Sequence, residues 1–193
     1  MPKRLSWGCT CVDCTAYRMV SSVPAENFRR VNLDLLYPPF LERVLELNAR
    51  CLARGVRYVA TMGVRTYEEQ NDLWRQGRTK PGAVVTNAKG GESQHNFGLA
   101  VDFVLDSNPS TDKVEPIWEA DGYKMLSEQA TLLGLHSGWA YNDLPHVGWP
   151  LFIGTETVPS LRVLNGVYSL QRGADLPEKL KRVWEEVAKW KIA

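Results

Sequence analysis

The segment LAVDFVL, residues 99–105, sets a carboxylate in the middle of an apolar run. A run of this length, rich in β-branched and aromatic residues, reads as a buried strand. Burying Asp102 without a partner is costly, so the chain must fold in a way that brings a cation to it, either an arginine or a metal ion. Seven positions earlier stands His95, one of only three histidines in the chain. Between them Gly98 permits a sharp turn or a close backbone approach, after which the strand carries Asp102 inward. A metal is the cationic partner that also accounts for His95.

Two ligands are too few for a catalytic zinc, which usually takes three from the protein and keeps a fourth position for water. The remaining imidazoles are His136 and His146. His136, in GLHSGW, follows an expected helix end and reads as a surface or capping residue. His146, in NDLPHVGW, has Asp143 three residues upstream and Pro145 stiffening the approach. A metal ligand close to a carboxylate suits hydrolysis, because the metal lowers the pKa of bound water while the base accepts its proton. His146 is therefore the expected third ligand and Asp143 the expected general base. Taken singly, each of these side chains reads more simply as an ordinary satisfied polar residue, and only their combination points to a site.

The rest of the chain is read as the frame for that site. At 193 residues it suffices for one sizeable core, and its 23 basic and 22 acidic side chains give no overall electrostatic pull toward nucleic acid. PPFLERVLELNARCLARG has helical spacing, with Cys51 as a small core residue and Gly55 as a stop. VRYVATMGV reads as a strand. Thr66 and Glu69 form a capping box that opens a helix through YEEQNDLWRQ. Residues 77–97 make a long loop of the kind that is functional or disordered. A helix is expected through IWEADGYKMLSEQATLLG, an extended segment at LPHVGWPLFI, and a polar stretch beyond Gly154. The closing LPEKLKRVWEEVAKWKI carries an apolar stripe of Leu180, Val183, Trp184, Val187 and Trp190, expected to dock on its own domain, with a partner- or wall-binding role as the alternative. Three cysteines crowd into CTCVDC at Cys9, Cys11 and Cys14, either a reduced segment or part of a structural metal site that lacks a nearby fourth ligand. No stretch has the length of a membrane span or a signal-peptide core, so a cytoplasmic origin is expected.

At this point a resemblance becomes specific. SQHNFGLAVDF fits the pattern Ser-x-His-x-x-Gly-x-Ala-x-Asp of the zinc D-alanyl-D-alanine carboxypeptidase and L-alanyl-D-glutamate endopeptidase family, and DLPH is similar to its second signature. The longer stretch GVRTYEEQNDLWRQGRTKPGAVVTNAKGGESQHNFGLAVDF resembles the branch that contains phage endolysins. The resemblance covers roughly residues 40 to 150. It implies His95, Asp102 and His146 as zinc ligands and Asp143 as catalytic base, with Arg65 stabilising the substrate oxyanion and Ser93 bonding near the metal or substrate. After His146 the chain departs from the family, which often shows an aromatic and then Gln or Glu; here Val147, Gly148 and Trp149 follow.

The expectations are then concrete. The fold should be a compact α+β domain whose small, mainly antiparallel sheet carries a zinc site and is flanked by helices. An N-terminal segment would span 1–37, a zinc peptidase domain 38–153, and an extension ending in an amphipathic helix 154–193. The resemblance implies a zinc enzyme, expected to act as a monomer, that cuts the L-Ala-D-Glu bond of bacterial peptidoglycan stem peptides, as a phage endolysin made in the host cytoplasm and acting on the wall after release. The alternatives are a D-Ala-D-Ala carboxypeptidase or dipeptidase with the same zinc site, and a metal-bearing wall-binding module without turnover.

Overall fold

The apolar positions of PPFLERVLELNARCL recur every three or four residues, and they build α1, Pro38–Leu52, with a proline at its first turn where no intrahelical N–H is needed. A computed structural model of the protein describes residues 23–108, 111, 113–150 and 160–190. Cys9, Cys11 and Cys14, and the end of the expected extended segment, lie outside the described residues. Phe40, Val44, Leu47 and Cys51 on one face of α1 are fully buried. Burial pushes the Cys51 thiol up to about 12, partly opposed by nearby Arg54, so this cysteine behaves as a small hydrophobe.

Among the described residues five strands follow: β1 (Tyr58–Met62), β2 (Ala100–Asp106), β3 (Pro116–Ile117), β4 (His136–Ser137) and β5 (His146–Gly148). They form one sheet in the order β1-β2-β5-β4, with β3 added to β2, and each pairing is antiparallel. The expected architecture of helices around a small antiparallel sheet is what the chain adopts. Alternation along β2 turns Val101 and Phe103 into the core and leaves Asp102 on the opposite face. On the core side pack α1 and α3 (Ala120–Leu132), the latter through Tyr123, Leu126 and Ala130. The capping box of Thr66 and Glu69 opens α2, Tyr67–Arg75, as its residues require.

Among the described residues two helices lie beyond residue 154. The terminal stripe forms α5, Leu176–Ala188, and turns inward: Leu180, Val183 and Val187 are buried. Trp184 donates from Nε1 to the carbonyl of Phe97 (2.8 Å), which ties α5 to the segment bearing His95. The stretch expected to be merely polar holds α4, Leu161–Ser169, whose Leu164 is buried and whose Tyr168 stacks on Tyr67 at 4.3 Å. Among the described residues no helix is long and apolar enough to cross a membrane.

At the far end of β2 a second charge is buried. Asp106 Oδ2 accepts from Arg57 Nη1 (3.0 Å), and Arg57 Nε donates to Asn27, itself bonded to Asn48. Removing one partner leaves the other charged and dry. Asp106→Ala is expected to cost about 3–5 kcal/mol in chemical denaturation. Asp175→Ala, which removes only the exposed N-cap of α5, should cost about 0.5–2 kcal/mol.

Candidate metal centre

Antiparallel pairing sets Asp102 of β2 directly opposite His146 of β5, and residues so opposed project from the same face of a sheet. His95 arrives differently. It rides on a 3-10 turn, Gln94–Phe97, so the sheet itself carries two of the three expected ligands. Ser93 caps this turn, its Oγ accepting from the His95 N–H at 3.3 Å. Gly98 ends it with φ of 68°, and a Cβ there would lie 2.2 Å from the carbonyl oxygen of Leu35. The chain therefore needs glycine twice over, for the left-handed conformation and for the close approach.

These elements bring His95, Asp102 and His146 together, with one donor atom from each lying within 4.8 Å of the others. Asp102 Oδ1 faces His95 Nε2 at 3.1 Å and His146 Nδ1 at 3.2 Å. Its other oxygen accepts from Arg65 Nη2 at 2.9 Å. An arginine and two imidazoles thus share one carboxylate. Burial pushes the Asp102 carboxyl upward, but His95 and His146 outweigh it and hold the group well below the usual carboxylate range.

The outer nitrogen of each ring is also committed. His95 Nδ1 lies 2.7 Å from the Gly63 carbonyl, which can only accept, so that nitrogen carries a hydrogen. His146 Nε2 lies 3.1 Å from Gln94 Oε1, and the Gln94 amide is oriented by donating to the Trp149 carbonyl at 2.8 Å. In neutral rings the remaining lone pairs, on His95 Nε2 and His146 Nδ1, both point at a carboxylate oxygen. That arrangement calls for a positive centre between them, and two imidazoles with one carboxylate are a donor set suited to zinc. The residues fit the ion.

The site floors a cleft of about 420 Å³. Arg65, Ser93, His136, Tyr141 and Asp143 line it together with the three clustered residues. Arg65 sits in the turn between β1 and α2; its backbone N–H donates to the His95 carbonyl (3.0 Å), and its Nη1 donates to Gln70 (2.9 Å). Asp143 is exposed on the rim, where Asn142 adopts φ of 59° and the Asp143 carbonyl accepts from the His146 N–H at 3.1 Å. The long loop forms another wall and is pinned to α2: Gln70 donates to the Ala88 carbonyl (2.9 Å), Gly90 N–H to Asn71 (2.9 Å), and Arg78 stacks on Trp74.

Sequence reasoning misplaced or missed several side chains. His136, expected as a surface or capping residue, lies in β4 and is half-buried in the cleft wall, where burial and the neighbouring His146 hold it below the ordinary histidine value. Gln94 and Asn96 carried no signal of their own. Asn96 accepts from the Gly91 N–H (2.9 Å) and donates to the Arg65 carbonyl (3.0 Å), so it fastens the His95 turn to the Arg65 turn.

With this geometry in view, likeness to known proteins is informative. A family model described as VanY, D-alanyl-D-alanine carboxypeptidase, matches residues 34–144. The chain belongs to that family. The matched span includes Arg65, His95, Asp102 and Asp143 and ends just before His146, which the sheet register supplies. The chain is also 38% identical, over 131 residues, to the peptidoglycan L-alanyl-D-glutamate endopeptidase CwlK of Bacillus subtilis (strain 168), covering 59% of this chain and 76% of that protein.

Gly98→Ala tests how tightly the His95 turn is built. The unfavourable backbone conformation alone should cost about 1–3 kcal/mol, and the overlap with Leu35 should add to it, read as a lowered denaturation midpoint.

Proposed function

We propose that this family member is a zinc-dependent peptidoglycan hydrolase that cuts the L-Ala-D-Glu bond of the stem peptide. The observation that carries the reading is the convergence of His95, Asp102 and His146 on the floor of a cleft whose rim presents Asp143 and Arg65. The choice of bond is supported by the identity to CwlK, and the family description keeps D-Ala-D-Ala carboxypeptidase activity as the second reading.

His95, Asp102 and His146 would hold the ion. When bound, zinc supplies Lewis acidity, which lowers the pKa of water and polarises a carbonyl. The protein's own groups do the rest. Asp143, exposed on the rim, accepts a proton from the attacking water and returns it to the leaving amine as the C–N bond breaks. Arg65, held by Asp102 and Gln70, keeps its guanidinium at the cleft, where its charge favours a developing oxyanion over the neutral carbonyl. Ser93 spends its Oγ on capping the His95 turn and contributes to substrate binding through its place in the cleft wall.

The endolysin branch that the motifs resemble suggests a lytic protein made inside a host cell, acting on the wall after release, and working as a monomer. That part of the proposal rests on analogy of sequence.

Mass spectrometry of digested, purified sacculi separates the two bonds: a new N-terminal glutamyl amine supports the endopeptidase, and free D-alanine supports the carboxypeptidase. Chelation should abolish either activity, and zinc should restore it; activity that survives exhaustive chelation would sink the metal reading. Asp143→Ala is expected to keep zinc at one equivalent while kcat falls by about 10²–10⁴-fold. Unchanged behaviour of that variant would instead favour a wall-binding module without turnover.

A further inference from the structure

We propose that Gln94 is a positioning residue for the metal centre: its side-chain amide selects the tautomer of His146 that offers Nδ1 to the ion. This inference rests on the zinc reading above and names a residue through which that site is kept ready.

Histidine has two ring nitrogens, and which of them carries the hydrogen in the neutral ring is set by what the other faces. His146 emerges from β5 with Nδ1 toward Asp102 Oδ1 (3.2 Å) and Nε2 toward Gln94 Oε1 (3.1 Å). Both neighbours are oxygens. An amide could in principle rotate and present its NH2 to Nε2, which would force the hydrogen onto Nδ1 and block the metal-facing position. The Trp149 carbonyl prevents this, because it accepts from Gln94 Nε2 at 2.8 Å and so fixes the amide with its oxygen toward His146. The relay runs from the Trp149 carbonyl through the Gln94 amide to His146 Nε2–H, and it leaves the Nδ1 lone pair free.

Space for the relay is built into β5. Gly148 stands between His146 and Trp149, and a Cβ on it would lie 2.2 Å from Gln94 Oε1 and 3.2 Å from His146 Nε2. The atom it would displace is the end of a side chain, so a methyl group there evicts the amide oxygen without requiring the strand to move. Gln94 is itself buried, and its amide oxygen is the acceptor placed against the ring. His95 needs no such helper, since a backbone carbonyl, that of Gly63, does the same work at 2.7 Å. The two ligand histidines are thus oriented by different means, one by main chain and one by a replaceable side chain.

Partners of this kind typically change metal affinity by about 10–100-fold when removed. The test uses the full chain, zinc alone as the probe, and two readouts: zinc affinity by competition with a chromogenic chelator, and the His146 Nε2–H by 15N NMR of the zinc-loaded protein. Wild type should bind one zinc and show a His146 Nε2–H that is hydrogen-bonded and slow to exchange with water. Gln94→Leu, which keeps the volume and removes the amide, should bind zinc about 10–100-fold more weakly and lose the hydrogen-bonded Nε2–H signature, with the denaturation midpoint shifted far less than a misfolded variant would show. Gly148→Ala, whose methyl group displaces the amide oxygen, should give the same pair of changes, and it decides the matter if Gln94→Leu fails to fold. Unaltered Nε2–H signature or unaltered affinity in a folded variant overturns the role of Gln94 while leaving the metal site standing. A wild-type protein that binds no zinc overturns the site itself, and this inference with it.

Discussion

One largely enclosed carboxylate organises the centre of this molecule. Asp102 sits on the middle strand of the sheet, where an unpaired charge is not tolerated, and its two oxygens are divided between different kinds of partner. Oδ2 takes the guanidinium of Arg65, and Oδ1 faces both imidazoles. Each partner comes from a separate part of the chain: a turn after β1, a 3-10 turn before β2, and strand β5. Satisfying the one charge therefore fixes three segments relative to each other, and the cleft is the space they leave.

Around that charge the protein orients its groups with fixed dipoles. The Gly63 carbonyl and the Gln94 amide oxygen take the outer hydrogens of the two rings, and Asn96 bridges the turns that bear Arg65 and His95. Helix α5 supports the same region from behind through the bond from Trp184 to Phe97. Hydrogen bonds among partly enclosed groups are strengthened because less water competes for them, and an unfilled partner is correspondingly expensive.

How much of this was legible in the residues varied with the range of the interaction. The capping box of Thr66 and Glu69, the helices α1, α3 and α5, and the strand through Asp102 follow from local spacing, since each is set by neighbours within a turn or two. Gly98 was legible as a turn, although the Leu35 carbonyl that makes it obligatory comes from far away in sequence. Helix α4 was not legible: LRVLNGVYS is short, interrupted by Gly166, and buries only Leu164 among its residues. The two-residue strands β3 and β4 carry no periodicity at all, and they exist because β2 and β5 offer edges to pair with. Because β4 leaves no local signal, the residues around His136 read as a surface or capping position, whereas the folded chain sets it in the cleft wall.

That His95, Asp102 and His146 would meet was an expectation the chain itself offered, from a histidine and an aspartate spaced across a glycine turn with a second histidine near another carboxylate, and the family resemblance made it specific. The α+β architecture followed from the local patterns together with that resemblance. Their mutual placement, the register that sets Asp102 against His146, and the roles of Gln94, Asn96 and His136 came from the folded chain. These are contacts across tens of residues, decided by strand pairing and by which backbone carbonyls face the rings, and no local periodicity records them.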